Sequence, residues 1–375
     1  MARTRRANQR LRHLLLFAAI AGAQFAVFEI ALRVWGSSEA APTFQGLFDG
    51  DARLGYRLKP NARIRFTTAE FETDIAINSS GVRDDADLGP KRPGERRVVI
   101  LGDSLVLSVQ VPFAQTFGEL LESRLNASHQ SGSYRVINAG VQGYGPVEEA
   151  LWFEQIAPQV QPDLVLVTVF VGNDAEEALR SAARLGGDDG PPPPSVRDDL
   201  YTVLRRIVRR SMVLQIVRLR VNSALARMGF SFTPPEPPLQ SYAANPAPRI
   251  AEGLAVARRA IEHIAGTASR VNARTAVVFM PARFQVDDGD YGRLREAVAA
   301  AGGELVRDAA TQRFDATLAE VPLPRFDLLP DLRATLPGPD LFFQTNVHLT
   351  PHGHRVVADA LQRFVEANGL LKDGA

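Results

Sequence analysis

Four short segments of this chain hold the residues that could do covalent chemistry. Gly102-Asp103-Ser104 directly follows the apolar run Val98-Val99-Ile100-Leu101. A Ser at the carboxyl end of a buried parallel strand stands on the rim of an α/β sheet, where ligands bind. The helix that follows can offer backbone N–H groups to a developing oxyanion. The same triplet also suits an ordinary strand-to-helix turn, since Gly, Asp and Ser are turn and cap residues. Asn138-Ala139-Gly140-Val141-Gln142-Gly143-Tyr144-Gly145 is a glycine-rich loop whose N–H groups can face a ligand, and its spacing is not that of a dinucleotide-binding loop. In Gly172-Asn173-Asp174, Asn173 can either donate its amide to an oxyanion or cap a helix. Asn346-Val347-His348-Leu349-Thr350-Pro351-His352-Gly353-His354 contains three of the six histidines, so it is the place to look for a base. His348 lies on a loop before the last helix, from which an imidazole can reach a Ser on the sheet rim. Alternatively it is a structural histidine, or one of three metal-binding imidazoles with His352 and His354, although no Asp or Glu lies between them.

The elements that must position these residues alternate in type. Strands are expected at 98–101, 134–138, 164–171, 275–280 and 326–329, with helices at 116–125, 146–156, 250–267, 291–301 and 351–368. Continuous apolar strands alternating with helices predict an α/β sandwich around a parallel sheet. Residues 40–93 read as an irregular β-rich leader, with alternation at 64–66 and 74–77 and a closing turn at Asn78-Ser79-Ser80-Gly81. The pattern breaks at 186–249, where two proline-rich stretches flank a predicted helix over 200–228. Its Leu200, Val203, Leu204, Ile207 and Val208 follow helical spacing, and Arg205, Arg206, Arg209, Arg210, Arg218 and Arg220 make it basic. It is expected either to pack on the domain or to lie as a lid or membrane-surface helix.

The chain has 375 residues, 45% of them hydrophobic, which is enough for a sizeable core. A net charge of +1 provides no global field for nucleic acid, and the absence of Cys excludes disulfides and thiolate catalysis. Arg3, Arg5, Arg6, Arg10 and Arg12 precede an apolar run over 14–35. Its length is near that of a transmembrane helix, and the basic flank places its start in the cytoplasm. A cleaved signal peptide is the alternative, with Ser38-Glu39-Ala40 as cleavage region. Both place the remainder outside the cytoplasm. The expected organisation is a basic N-terminus (1–13), an anchor at the cytoplasmic membrane (14–35), a leader (36–95) and a catalytic domain (96–185 and 250–375) split by the insertion (186–249).

Taken together, Gly-Asp-Ser, Asn…Gly, Gly-Asn-Asp and a C-terminal His in this order resemble the SGNH (GDSL-like) hydrolase family over 97–367, apart from the insertion. The leader segments 54–60 and 78–83 are similar to those of bacterial membrane-anchored members. The resemblance implies a three-layer α/β/α sandwich with a mainly parallel, flavodoxin-like sheet. It implies Ser104 as nucleophile, His348 as general base and an oxyanion hole from the Ser104 N–H, the Gly143 N–H and the Asn173 side chain, with Gly140 as the alternative middle donor. It calls for no cofactor and no metal. One departure concerns the third catalytic position: where the family usually has an Asp two or three residues before the His, this chain has Asn346 and Thr345. An Asn oxygen can hold the imidazole but brings no charge. The consequence is a slow Ser–His dyad with Asn346, rescue by Asp174, Asp327 or Asp340, or lost catalysis. The expected function is hydrolysis of acyl or acetyl esters on an envelope glycan or lipid. The alternatives are O-acyl transfer to a surface polysaccharide and a silent binding module.

Overall fold

The computed structural model describes residues 12–13, 16–17, 20, 22–29, 31, 46–68, 70–128, 133–186, 213, 237–338, 340–344 and 346–371. The chain divides into two units. In the unit made of 1–43, 67–69 and 189–235, residues 22–29 are helical, and the Val213 N–H donates to Glu29 Oε2 at 3.1 Å. Much of the expected membrane span (14–35) and nearly all of the expected basic helix (200–228) lie outside the described residues. Among the described residues no helix is long and apolar enough to cross a membrane, so the transmembrane part of the expected fold is not supported.

The other unit, 44–66, 70–188 and 236–375, holds the sheet. It opens with two antiparallel ribbons, β1 (Phe48–Asp51) with β2 (Gly55–Leu58) and β3 (Arg63–Thr67) with β4 (Glu72–Ala76). The main chain then alternates as expected. β5 (Glu95–Leu101) leads into the single turn α1 (Ser104–Leu107) and into α2 (Phe117–Ser128); β6 (Ser133–Asn138) into α3 (Pro146–Val160); β7 (Leu164–Phe170) into α4 (Asp174–Gly186). After the insertion come α5 (Pro248–Arg270), β8 (Arg274–Met280), α6 (Arg283–Val286), α7 (Asp288–Ala300), α8 (Ala309–Thr317), β9 (Arg325–Asp327), α9 (Leu329–Ala334) and α10 (Pro351–Ala367).

The five strands β6-β5-β7-β8-β9 form one sheet whose pairings are all parallel. Both faces are covered. Val99 and Leu101, Ile137, Val165, Val167 and Val169 pack into one apolar core with α3, α4 and α5. Their neighbours Val98 and Ile100, Val136, Leu164 and Leu166 pack into a second core with α2 and α10. Strand side chains alternate between faces, so each buried strand feeds both cores and must be apolar throughout. This is the expected three-layer sandwich. The strand order reverses at β5, making the gap between the carboxyl ends of β5 and β7 the switch point where such sheets bind ligands.

Besides the short α1, α6 and α9, two longer helices are absent from the expected pattern. α4 turns the small residues Ala175, Ala178 and Ser181 inward, so its apolar periodicity is faint. α8 has only nine residues, with Ala309, Ala310 and Phe314 facing in.

Candidate active site

Ser104 opens α1 directly after β5, and its residue is only 9% exposed. A four-residue helix leaves its carbonyls without intrahelical partners, and here they are buried. Each is satisfied separately. Ser104 O accepts the Ser108 N–H at 2.8 Å, and Ser108 itself is left-handed, with φ 55°. Leu105 O accepts the Ser108 hydroxyl at 2.6 Å, and Val106 O accepts Asn138 Nδ2 at 2.7 Å. Leu107 O and Val111 O each accept the Arg83 guanidinium at 2.7 Å, and Ser108 O accepts it as well. Arg83 is fully buried, and burial pushes its guanidinium down to about 10, which still leaves it charged at neutral pH. At the other end, Asp103 accepts the Leu105 N–H at 2.8 Å as N-cap.

His348 is brought to Ser104 across 244 residues of sequence, Nε2 standing 2.8 Å from Ser104 Oγ. Its Nδ1 lies 2.5 Å from Asn346 Oδ1. The same Oδ1 accepts the His348 backbone N–H at 3.1 Å. A backbone N–H can only donate, so the amide presents its oxygen to the ring, Nδ1 carries the proton and Nε2 is the free acceptor facing the hydroxyl. Asp174, Asp327 and Asp340 do not supply the missing charge at this position. Asp174 accepts the Phe170 N–H at 2.8 Å, Asp327 accepts the Leu329 N–H at 2.9 Å, and Asp340 contributes its backbone carbonyl to Thr350 Oγ1. Burial lowers the pKa of His348 to about 4. The preceding segment is held by Arg283, whose Nη1 donates to Phe343 O and Gln344 O, both at 2.8 Å. His354 does not share the site: its Nδ1 accepts the Phe117 N–H at 3.2 Å in the second core.

Gly140 and Gly143 lie on the loop after β6, and Asn173 follows β7, so both loops flank Ser104 at the carboxyl edge of the sheet. Gly140 packs against the nucleophile turn so closely that a Cβ would come within 2.4 Å of Leu107 N. Its N–H is taken by Asn138 Oδ1 at 3.2 Å. Gly143 has φ +72°, a backbone that favours glycine. Among the described residues no acceptor takes the N–H of Ser104 or of Gly143. The loop is braced by the leader, with Tyr56 Oη donating to Gln142 O at 2.6 Å and Tyr144 Oη donating to Tyr56 O at 2.5 Å.

Behind the nucleophile lies a group of buried acids. Glu149 is 1% exposed, and among the described residues neither of its carboxyl oxygens has a partner. Burial, reinforced by the repulsion of neighbouring carboxylates, raises Glu149 and Asp174 well above the ordinary range. Burial raises Asp103 to about 6 and Glu177 to about 8. Asp103 and Asp174 stand in the motifs read from the sequence, but Glu149, Glu177 and Arg83 were not legible as part of the site, because Arg and Glu in sequence normally signal a solvated face. The hydrophobic neighbours of Arg83, Gly81-Val82, offered the one hint.

Residues 240–375 match the family model described as SGNH hydrolase-like domain, acetyltransferase AlgX. The match includes Asn346 and His348 and ends short of the Ser104 segment. No curated protein matches the chain. Similar solved structures include TesA (11% identity, 72% of this chain and 99% of that one, TM-score 0.40). Others are the psychrotrophic esterase EstA from Pseudoalteromonas sp. (12% identity, 72% and 97%, TM-score 0.39) and a variant of Axe2, an acetylxylan esterase from Geobacillus stearothermophilus (12% identity, 72% and 94%, TM-score 0.39).

Two outcomes follow from this geometry. Arg83→Met strands several buried carbonyls, each worth about 1–3 kcal/mol when left unpaired. Urea unfolding should therefore show a loss of about 3 kcal/mol. Arg83→Lys should recover little of it, because one ammonium cannot span the carbonyls that the guanidinium fork reaches. Glu149→Gln concerns pH. An acid with a raised folded pKa stabilises the fold fully below its unfolded value, about 4.3, and that contribution is lost as pH rises toward the folded value. The melting temperatures of Glu149→Gln and wild type should differ least near pH 4, and the variant should be increasingly the more stable toward pH 9. Parallel melting curves across that range would disprove the assignment.

Proposed function

We propose that this chain, a member of the SGNH hydrolase family, cleaves acyl or acetyl esters through an acyl-enzyme on Ser104. The observation that carries this is the relay Asn346 Oδ1, His348 Nδ1–H, His348 Nε2, Ser104 Oγ, with separations of 2.5 Å and 2.8 Å at its two hydrogen bonds. His348 takes the Ser104 proton as Oγ attacks the ester carbonyl. The tetrahedral oxyanion is met by the Ser104 N–H, the Gly143 N–H and the Asn173 amide. His348 then returns the proton to the leaving alcohol, and water activated by the same imidazole releases the acid. The orienting group is neutral. Asn346 holds the ring but does not stabilise the imidazolium, and burial makes the base weak.

A second reading, O-acyl transfer with a sugar hydroxyl replacing water, is favoured by the acetyltransferase description of the family model that residues 240–375 match. The residues and the acyl-enzyme are the same, and dependence of product yield on an added glycan acceptor separates the two. An envelope glycan or lipid as substrate follows from the expected position outside the cytoplasm, for which the Arg-rich start of the chain and the exposed Phe17, Val27 and Phe28 are the support. Retention of the protein in washed membranes, and its accessibility to protease from the outer side, tests that location.

Labelling with a fluorophosphonate should mark the wild type, vanish in Ser104→Ala and drop sharply in His348→Ala. A folded wild type that resists labelling at mildly alkaline pH would point to a silent binding module instead. Asn346→Asp supplies the missing charge. It should raise kcat/KM near pH 8 by about tenfold or more. It should also move the acid limb of the pH–rate profile up from near 4 toward the ordinary histidine range. An unchanged limb would mean that Asn346 does not orient the base.

A further inference from the structure

Beside the reactive pair opens a cleft of about 560 Å³, at the carboxyl ends of β7 and β8. It reaches Gly172, the residue before Asn173, and Val347, the residue before His348, whose Nε2 stands 2.8 Å from Ser104 Oγ. Its walls are Phe170, Leu239, Phe284 and Leu294, with Ala297 at the α7 side. The polar groups along it are already engaged. Tyr242 is buried and gives its hydroxyl to Gln285 Oε1 at 2.9 Å. Arg283 and Arg293 both pair with Asp290, and Arg283 also holds the two loop carbonyls. Such a cleft provides few free donors for sugar hydroxyls, since its two guanidinium groups are tied to Asp290 and, for Arg283, to the loop carbonyls as well. Its volume lies within the range of pockets that bury drug-sized ligands, on the order of 300–1,000 Å³, and an acetyl group would leave most of it empty.

We propose that this cleft is the acyl subsite and that the substrate carries an apolar acyl chain longer than acetyl, in the medium-chain range. This rests on Ser104 being the acylated residue. The cleft begins at Gly172, next to the amide assigned to the carbonyl oxygen, and its apolar walls suit the alkyl chain of an acyl group. Each buried methylene contributes about 0.8 kcal/mol, about fourfold in kcat/KM.

The test compares p-nitrophenyl acetate, butanoate and octanoate, and ethyl acetate with octyl acetate, on the full-length protein. The octanoate-to-acetate ratio of kcat/KM should be about tenfold or more in the wild type. Ala297→Trp, at an exposed helix position, should collapse that ratio toward one without lowering the melting temperature. Ala299→Trp, on the same helix outside the cleft, should keep it. In parallel, Ser104→Ala, which cannot turn over, should bind N-(4-nitrophenyl)octanamide by calorimetry and not the acetamide. A flat or falling acyl series in a protein that the fluorophosphonate labels would overturn the subsite and leave the serine mechanism standing. So would a preference that follows alcohol length. Octanamide binding blocked by Ala297→Trp in a protein that never labels would sustain the cleft and overturn the serine mechanism.

Discussion

The site depends on one buried turn having all its carbonyls satisfied. Ser104 must stand at the very end of β5 to reach the sheet rim, and the chain must then leave in one turn of helix, because the loop after β6 passes within contact of Leu107. So short a helix cannot satisfy itself. Its acceptors are met instead by Ser108 and Asn138, and by Arg83 beyond its C-terminus. A guanidinium is suited to this, as a rigid fork of donors that stays charged at about 10 even when buried. The leader is therefore part of the architecture of the candidate site. Arg83 holds the nucleophile turn, Thr73 reaches Val109 O at 2.5 Å, and Tyr56 braces the Gly143 loop.

The second general feature is how little charge the reacting groups carry. His348 is buried and neutral, its orienting partner is an amide, and Glu149 and Asp174 behind Ser104 are pushed well above the ordinary carboxylate range by burial and by neighbouring carboxylates. These facts belong together. An ionised triad Asp at the same edge would add negative charge to that of the carboxylates that already raise Asp174, Glu149 and Glu177. A neutral Asn346 adds no such charge and leaves the imidazole a weaker base, so rate is exchanged for a low-charge interior. On the proposed mechanism, the Ser104 and Gly143 N–H groups, which no acceptor among the described residues takes, would have to supply most of the transition-state stabilisation.

Much of this was legible from residue types alone. The run of apolar residues in β5, β6, β7 and β8 announces strands buried on both faces, and the turn residues after them announce the rim. His348 could be placed opposite Ser104 because a loop before the last helix of such a sheet returns to the same edge. Other parts were not legible, for identifiable physical reasons. α4 hides because its inward face is Ala and Ser. Arg83 and Glu149 hide because burial of a charged type is decided by partners distant in sequence, as with Arg83 and the Leu107 carbonyl. The choice between Gly140 and Gly143 needed the hydrogen bond from Gly140 N–H to Asn138.

The division of labour between the two halves of the sheet unit explains why chemistry and specificity read so differently. The nucleophile, the glycine loop and Asn173 all come from β5, β6 and β7, where parallel register places three loops at one edge whatever the substrate. The proposed base and every wall of the cleft except Phe170 and Gly172 come from 239–348. Arg283 links the two tasks, since it lines the cleft and also fixes the carbonyls just before Asn346. A change of cleft shape near Arg283 therefore acts on the base-bearing loop as well as on the bound group. The shape of the cleft and the placement of the His348 segment thus meet at a single side chain.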